Sequence, residues 1–162
     1  MMTSRVTASG ILPVNQYGIY VALQQNARGD ATYTDFGGKM TNEDIYTYVT
    51  ATREFNEETY HFFNLGPGWT REAHKEVTIE SPNPLKKYKC HVVQMDVLGK
   101  YMDDGFEDIQ SFNDVRYRIV KQFGVHSFPV VAYAFIPFGD LRNPDFLKMS
   151  SYRLKKIMAT LA

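Results

Sequence analysis

Residues 53–58 read Arg-Glu-Phe-Asn-Glu-Glu, and this stretch decides which fold the sequence predicts. On a helix, Glu54, Glu57 and Glu58 are spaced i, i+3 and i+4, so their carboxylates are neighbours. Like charges at that spacing destabilise an isolated helix by about 0.2–0.5 kcal/mol per pair. A divalent cation that bridges the carboxylates would offset this repulsion, and hard oxygen ligands suit Mg²⁺, with Mn²⁺ as a substitute. Because acidic runs also occur on many solvent-facing helices, the stretch needs support from its surroundings.

The acidic stretch falls in a helix that we predict from about residue 42 to residue 60. Thr41 is followed three residues later by Asp44, which is a capping-box-like start. With successive residues about 100° apart, a mostly apolar arc lies opposite the glutamates, and we expect that arc to face the core. Its members are Ile45, Tyr48, Val49, Thr52, Phe55 and Thr59.

A glycine pair, Gly37-Gly38, comes before this helix and is predicted to end a strand. Glycine lets a backbone approach a ligand closely, and it lets a carbonyl turn towards a metal. A glycine pair alone is often only a turn. The strand, the glycine pair, the capped helix and the carboxylates together form a more specific pattern than any one of them.

Strands and further helices are predicted on both sides of this helix. Three strands come before it, and the turns between them suggest an antiparallel meander. The chain is therefore predicted to have an α+β fold, an α/β/α sandwich in which a mixed sheet is flanked by helices. The predicted strands are residues 6–14, 18–25, 31–36, 76–80, 88–98 and 130–136, and the other predicted helices are residues 109–123 and 152–161.

The composition is that of one globular domain spanning residues 1–162. With 44% hydrophobic residues the chain can bury a sizeable core, and its 18 basic and 18 acidic side chains cancel, which disfavours a nucleic-acid-binding surface. The single cysteine, Cys90, lies in an apolar stretch where we expect it to be buried, which fits a reducing compartment. No apolar stretch is long enough to span a bilayer, so we expect a cytoplasmic protein with no membrane partner.

The glycine pair and the acidic stretch together resemble the Nudix box. That pattern is Gly, five residues, Glu, seven residues, then Arg-Glu-aliphatic-x-Glu-Glu-x-Gly-aliphatic. Here residues 35–39 read Asp-Phe-Gly-Gly-Lys, and the Arg-Glu and Glu-Glu pairs of residues 53–58 match in type and spacing. The order of strands and helices is also similar, so the resemblance to the Nudix hydrolase superfamily covers most of the chain.

The loop before the helix departs from the family pattern. One extra residue lies between Gly38 and Arg53, which puts Ile45 where the family has its first Glu. Asp44 or Glu43 must therefore take that part.

The end of the helix departs as well. The family's glycine after the Glu-Glu pair is Tyr60 here, and the aliphatic position after it is His61. A left-handed cap at a tyrosine is strained. We therefore expect the helix to continue past Tyr60 or to end without a left-handed residue there.

The resemblance implies a Mg²⁺-dependent hydrolase that cuts a phosphoanhydride bond in a nucleoside-diphosphate-linked substrate, such as a nucleoside triphosphate or a nucleotide conjugate. Arg53 would orient a carboxylate, that of Asp44, Glu43 or Glu57. A distant acidic residue would act as general base or extra ligand, and among four candidates in residues 100–113 we favour Glu107. The implied metal ligands are the Gly37 carbonyl, Glu54, Glu57 and Glu58, and the implied catalytic residues are Arg53, Glu54, Glu57 and Glu107.

Substrate contacts are predicted from residue type. Lys39 could meet a phosphate, and an aromatic side chain from the early strands, Tyr20 among them, could stack on a base. The cluster of Lys86, Lys87 and Lys89 could bind polyphosphate or RNA, or it could be a solvated strand edge. The four histidines show no metal-ligand spacing.

Two other functions stay open besides hydrolysis of a small nucleotide. Removal of the cap from RNA would need a basic track, which the neutral net charge disfavours. A Nudix-like module that binds without cutting would be favoured by a degraded acidic cluster, and the cluster is intact. A homodimer is also left open.

Overall fold

The computed structural model describes residues 5–25, 28, 30–61, 63–72, 74–83, 85–102 and 130–161. Within these residues a seven-stranded mixed sheet has helices packed against both faces, which confirms the predicted α+β fold. In the same part of the chain, no helix has the length and apolar character needed to cross a membrane.

The sheet is built on strand β1, which has neighbours on both sides. The order is β3-β2-β1-β6-β5, with β4 also paired to β1 and β7 to β2. The β1–β6 pair is parallel and the other pairs are antiparallel, so the predicted meander of the first strands is confirmed. The strands are β1 Arg5–Val14, β2 Gly18–Gln25, β3 Ala31–Thr34, β4 Phe36–Lys39, β5 Lys75–Glu80, β6 Lys86–Gln94 and β7 Val130–Pro137.

The described helices are α1 Thr47–Glu58, α2 Met95–Leu98, α3 Pro144–Met149 and α4 Tyr152–Ala159. Helix α4 confirms the predicted terminal helix. The strand predicted for residues 88–98 is too long, because it ends at Gln94 and the chain turns into α2. The helix predicted for residues 109–123 lies outside the described residues.

Two hydrophobic cores lie on opposite faces of the sheet. Successive side chains of a strand point to opposite faces, so Ile11 of β1 joins Phe55 and Trp69 on the α1 side. Its neighbour Leu12 joins Leu154 of α4 on the other side. The two helices that carry the candidate site are held by these cores.

Helix α1 begins later than predicted. The expected capping box is a turn instead, in which the Asp44 amide donates to the Thr41 carbonyl at 3.1 Å and the Thr41 amide donates to Asp44 Oδ2 at 2.9 Å. A side chain that bonds the backbone in this way favours a turn over a helix interior. Tyr46 is therefore the N-cap, and Ile45 lies before the helix and is 79% exposed, so the expectation that Ile45 faces the core is wrong.

The buried face of α1 overlaps the predicted arc only in part, because Phe55 and Thr59 are buried whereas Tyr48, Val49 and Thr52 are partly buried. Ala51 and Phe55 are buried, and Glu58, seven residues after Ala51, lies on the same face and is 8% exposed. Thr52, which belongs to the predicted arc, is half-buried and accepts a hydrogen bond from the Trp69 indole at 2.8 Å. The expectation that all three glutamates lie on the solvent side is therefore wrong for Glu58.

The end of α1 is left-handed, contrary to the prediction. Tyr60 has φ 54° and His61 has φ 61°. The His61 amide donates to the Asn56 carbonyl at 2.7 Å and the Tyr60 amide to the Glu57 carbonyl at 2.9 Å, which is the Schellman pair of bonds. These bonds satisfy the last carbonyls of the helix, which outweighs the cost of about 1–2 kcal/mol for each non-glycine residue in this conformation.

Candidate functional site

Glu58 places a carboxylate inside the protein at the end of α1. Its Oε2 accepts a hydrogen bond from Gln24 Nε2 at 2.8 Å, whereas its Oε1 is buried with no hydrogen-bond partner among the described residues. Burial raises the pKa of Glu58 to about 8; the charge of Arg153 acts to lower it, and that of Glu54 acts to raise it. An oxygen in this position needs either a proton or a cation to compensate its burial.

Glu54 lies one turn earlier, against the glycine pair. A Cβ on Gly38 would come 2.4 Å from Glu54 Oε1, so the carboxylate occupies the space that the missing side chain leaves. The side chain of Glu54 is 17% exposed, and burial raises the pKa of its carboxyl group while the charge of Arg53 acts against this. Gly38 is thus a place where the backbone approaches a functional group closely.

Arg53 ties α1 to the loop before it. One guanidinium nitrogen donates to Asp44 Oδ2 at 2.9 Å and to the Lys39 carbonyl at 3.2 Å, and the other donates to Glu54 Oε1 at 3.0 Å. The sequence leaves Asp44, Glu43 and Glu57 open as partners of Arg53. Arg53 bonds Asp44 directly, whereas Glu57 Oε2 lies 3.7 Å from the nearest guanidinium nitrogen of Arg53. Asp44 is therefore the carboxylate that Arg53 orients most directly.

Asp44 is held in its charged form by several donors. Burial acts to raise the pKa of its carboxyl group, but hydrogen bonds from the Thr41 amide, the Arg53 side chain and the Thr50 hydroxyl lower that pKa to about 2. The side chain is 4% exposed. The loop is therefore fixed by one carboxylate that stays ionised at neutral pH.

The remaining residues predicted for the metal site are placed differently. Glu57 is half exposed, and among the described residues its side chain pairs with Arg53 at 3.7 Å. Gly37 lies within β4, opposite Gly10 of β1, so the glycines sit inside a short strand and the break in the predicted strand is at Asp35. Glu107 lies outside the described residues.

A buried ionic network lies behind the glycine pair. Asp35, fully buried, accepts a hydrogen bond from the Tyr88 hydroxyl at 2.5 Å and one from Arg153 Nε at 2.6 Å. The Arg153 guanidinium also stacks over the Tyr88 ring, 4.3 Å from its centroid. A Cβ on Gly37 would come 1.9 Å from the Tyr88 hydroxyl oxygen, so this residue must be glycine.

Sequence reasoning missed this network because its members come from β6, α4 and the bend after β3. No spacing along the chain links Asp35 to Arg153, which lies 118 residues away. The charge of Arg153 also acts on the pKa values of Glu54 and Glu58, so α4 contributes to the electrostatics of the site.

A cleft of about 620 Å³ opens beside Gly38 and is rich in cationic side chains. Lys39 lines it, as expected for a residue that could meet phosphate. Of the two roles that the sequence leaves open for the lysines of β6, a solvated strand edge does not fit, because β6 lies between β1 and β5. The basic residues that line the cleft are Arg5, Lys39, Lys86, Lys87 and Arg153.

Tyr20, the predicted stacking residue, is not brought to this cleft. Its ring lies 4.9 Å from that of Phe135, and its hydroxyl accepts a hydrogen bond from Asn15 at 3.1 Å. It lines a small cavity together with Phe36 and Phe55, which belong to the core on the α1 side.

The cysteine is buried, and two of the histidines lie close together. Cys90 is fully buried, as expected. His74 and His91 show no ligand spacing in sequence, yet the structure brings their ring nitrogens within 3.3 Å of each other. Ligand spacing along one segment cannot reveal such a pair, because the two residues meet across neighbouring parts of the sheet.

Comparison with solved structures places this architecture among Nudix proteins, although no protein-family profile and no curated protein matches the sequence. The chain matches a bifunctional NMN adenylyltransferase/ADP-ribose pyrophosphatase from Francisella tularensis, complexed with AMP and a manganese ion, with a TM-score of 0.63 and 12% identity over 99% of this chain and 42% of that one. It matches a NUDIX hydrolase from Nitrosomonas europaea with a TM-score of 0.57 and 9% identity, over 97% of this chain and 88% of that one.

A third match is the NUDIX domain of NrtR from Shewanella oneidensis, complexed with ADP ribose. Its TM-score is 0.53 with 10% identity, over 98% of this chain and 87% of that one. The chain spans about two fifths of the length of the Francisella protein. At these identities the likeness shows the fold, and the chain has the Nudix fold.

Proposed function

We propose that this protein is a Mg²⁺-dependent hydrolase that cuts a phosphoanhydride bond in a nucleotide conjugate. The observation that carries the proposal is the pair of Glu54 and Glu58, whose carboxylates are both withdrawn from solvent at one end of α1. Burying two carboxylates is unfavourable unless a cation or a proton compensates.

The donor set fits Mg²⁺. Glu58 Oε1 is a buried oxygen with no partner in the described part of the chain, and Glu54 keeps its carboxylate in the space left by Gly38. Carboxylate and carbonyl oxygens are the ligands that Mg²⁺ and Mn²⁺ prefer. The residues that would hold the ion are Glu54, Glu57, Glu58 and the carbonyl of Gly37. When bound, such an ion lowers the pKa of a bound water and neutralises charge on phosphate oxygens.

The protein's own side chains would position the metal ligands and accept a proton from the attacking water. Arg53 holds Glu54 at 3.0 Å and anchors the loop through the Lys39 carbonyl, so the ligand carboxylate and the glycine strand keep one geometry. Glu57 is the carboxylate with the most solvent access of the three, which suits it to accept a proton from the attacking water. Glu107 stays a proposed general base or extra ligand.

The cleft supports an anionic substrate of nucleotide size. Its volume of about 620 Å³ lies in the usual range of roughly 300–1,000 Å³ for small-molecule sites. Lys39, Lys87 and Arg153 can meet phosphate oxygens there. Gly38 lines the cleft and contacts Glu54, so a diphosphate that enters it would come close to the carboxylates.

The solved structures support a nucleotide conjugate over a free triphosphate. One neighbour is named as an ADP-ribose pyrophosphatase and was complexed with AMP, and another was complexed with ADP ribose. An Ap4A hydrolase from C. elegans is also similar, at a TM-score of 0.50 with 14% identity, over 97% of this chain and 98% of that one. We therefore place ADP-ribose and dinucleoside polyphosphates first among candidate substrates.

The test is a chromatographic screen for the two hydrolysis products of ADP-ribose, dinucleoside polyphosphates, nucleoside triphosphates and capped RNA, each with Mg²⁺ and with Mn²⁺. Against the best substrate, Glu54→Gln should lower kcat by about two orders of magnitude or more. The matched control is Glu72→Gln, which removes one charge from a half-exposed carboxylate that pairs with Lys100. Full turnover by the Glu54→Gln protein would end the proposal.

A further inference from the structure

Three side chains that could bind a metal meet on the face of the sheet that carries α1. His91 Nδ1 lies 3.3 Å from His74 Nε2, and each of these nitrogens lies 3.8 Å from Glu76 Oε1. Glu76 of β5 and His91 of β6 are direct cross-strand partners, and His74 comes just before β5. Within the described residues, these three ligand atoms lie within 4.8 Å of one another.

The hydrogen bonds around His74 fix which of its nitrogens faces the cluster as an acceptor. Its Nδ1 lies 3.0 Å from the Glu72 carbonyl, which can only accept, so Nδ1 carries the proton and donates. In the neutral imidazole, Nε2 then presents a lone pair towards His91 Nδ1. Metal-binding histidines have this arrangement, with one nitrogen donating to a carbonyl and the other turned to the ion.

The carboxylate of Glu76 divides its two oxygens between different neighbours. Lys89 Nζ lies 3.5 Å from Oε2, so that oxygen is held by an ammonium group, while Oε1 faces the two imidazoles. Lys89 is thereby a positioning residue for Glu76. The three groups that converge are an anionic oxygen and two ring nitrogens, a set that a cation satisfies.

We propose that His74, Glu76 and His91 form a binding site for a divalent transition-metal ion of the Zn²⁺ type. Two ligands about 2.0–2.1 Å from a tetrahedral ion lie about 3.3 Å apart, which matches the observed separation of the two nitrogens. Imidazole ligands favour Zn²⁺ and its neighbours over Mg²⁺, so the site differs in selectivity from the oxygen ligands on α1. Glu76 is half exposed, which leaves access for water at a fourth position.

A bound ion would fasten the edge of the sheet. β5 is the last strand in the sheet order, and its pairing partner β6 supplies His91. His74 belongs to the segment between Trp69 and β5, so the ion would join three successive pieces of chain. The expected role is structural.

Trp69 provides a direct signal for this site. It is the protein's single tryptophan, and its ring centroid lies 5.3 Å from those of both His74 and His91. The experiment uses the full chain, stripped with a chelator and then kept in excess Mg²⁺ to occupy the oxygen ligands of α1. Titration with Co²⁺ should quench Trp69 fluorescence, its visible absorption should report nitrogen ligation, and Zn²⁺ should displace it.

Two variants and one control decide the assignment. Glu76→Gln should weaken Co²⁺ and Zn²⁺ binding by at least about 10-fold, and His74→Asn by more. The side chain of Glu76 is half exposed and that of His74 is mostly buried, so the melting temperature without metal checks the folding of both variants, and Glu76→Gln decides if His74→Asn does not fold. Glu72→Gln removes a charge of similar exposure two residues from His74, and it should bind as the wild type does.

Three results would overturn the proposal: no quenching in the wild type, unchanged binding in both variants, or loss of binding in Glu54→Gln in place of Glu76→Gln. None of these measurements uses the hydrolase reaction. The transition-metal site and the proposed hydrolase activity can therefore fail separately.

Discussion

The carboxylate of Glu54 fills the space above Gly38, where a Cβ would come 2.4 Å from its Oε1. Gly38→Ala must therefore move that carboxylate, which is the end of a flexible side chain and can shift. We expect the variant to fold with a loss of about 1 kcal/mol or less and to lose about 10-fold or more in kcat, because the ligand is displaced. Thermal melts and steady-state kinetics on the same preparation measure both.

The neighbouring glycine is the contrast for this experiment. At Gly37 the obstacle is the hydroxyl of Tyr88, which is buried and bonded to Asp35. Gly37→Ala should lower stability by about 3 kcal/mol or more, since the collision disturbs a buried ionic network. If the two alanine variants lost the same stability, the distinct role of Gly38 would be refuted.

Glu58→Gln separates the binding of a cation from folding. The variant keeps the shape of a buried side chain and cannot ionise. The pKa of Glu58 is raised to about 8, so at neutral pH folding must protonate or bury this carboxyl group, and in a chelator the stability of the variant should rise by about 1 kcal/mol. Mg²⁺ should raise the melting temperature of the wild type and leave that of the variant nearly unchanged. A variant that is less stable than the wild type in the chelator, with the same response to Mg²⁺, would contradict the role of Glu58 as a ligand.

The left-handed end of α1 predicts an unusual stabilising change. His61 has φ 61° and is exposed, so His61→Gly should relieve strain and raise the free energy of unfolding by about 1 kcal/mol. His61→Ala keeps the Cβ and should be close to neutral. Denaturant unfolding of the three proteins compares them, and equal effects of glycine and alanine would show that loss of the imidazole, not backbone strain, is responsible.

The low pKa of Asp44 predicts how the free energy of unfolding depends on pH in acid. Its folded pKa of about 2 lies below the ordinary value of 3.8, so its contribution is fully present above pH 4 and is lost as the pH falls towards 2. Asp44→Asn should lower stability at pH 7 by about 1–3 kcal/mol, because Arg53 loses a charged acceptor. Urea titrations between pH 7 and 2.5 should show the two proteins converging at the acid end. Parallel curves would mean that Asp44 does not keep this low pKa.

The fold and the acidic stretch could be predicted because both leave local patterns. Turn residues and the apolar pattern predict the bounds of β1, β2, β5 and β7 to within one residue, and the spacing of the glutamates predicts the candidate site. The predicted face of α1 is right for Phe55 and Thr59 and wrong for Ile45, because Asp44 bonds the loop backbone and delays the start of the helix to Thr47. The left-handed end of α1 is not predicted, because tyrosine and histidine rarely adopt a positive φ. The hydrogen bonds that Tyr60 and His61 donate to the last carbonyls of the helix outweigh this cost.

What the sequence could not reveal are contacts between distant segments. The bond from Arg153 to Asp35 and the approach of His74 to His91 depend on which strands become neighbours, and no local spacing encodes that choice. The same limit applies to Lys86 and Lys87, whose strand became an internal member of the sheet.

The position of the glutamates at the end of α1 also has an electrical consequence. The helix ends at Glu58, and the partial negative charge of its macrodipole, about half an elementary charge, lies at that end. No basic residue in the last turn offsets it. The backbone and the carboxylates therefore repel any further anion from the same point and attract a cation to it. When the cation is removed, we expect the last turn of α1 to be the first part of the helix to fray.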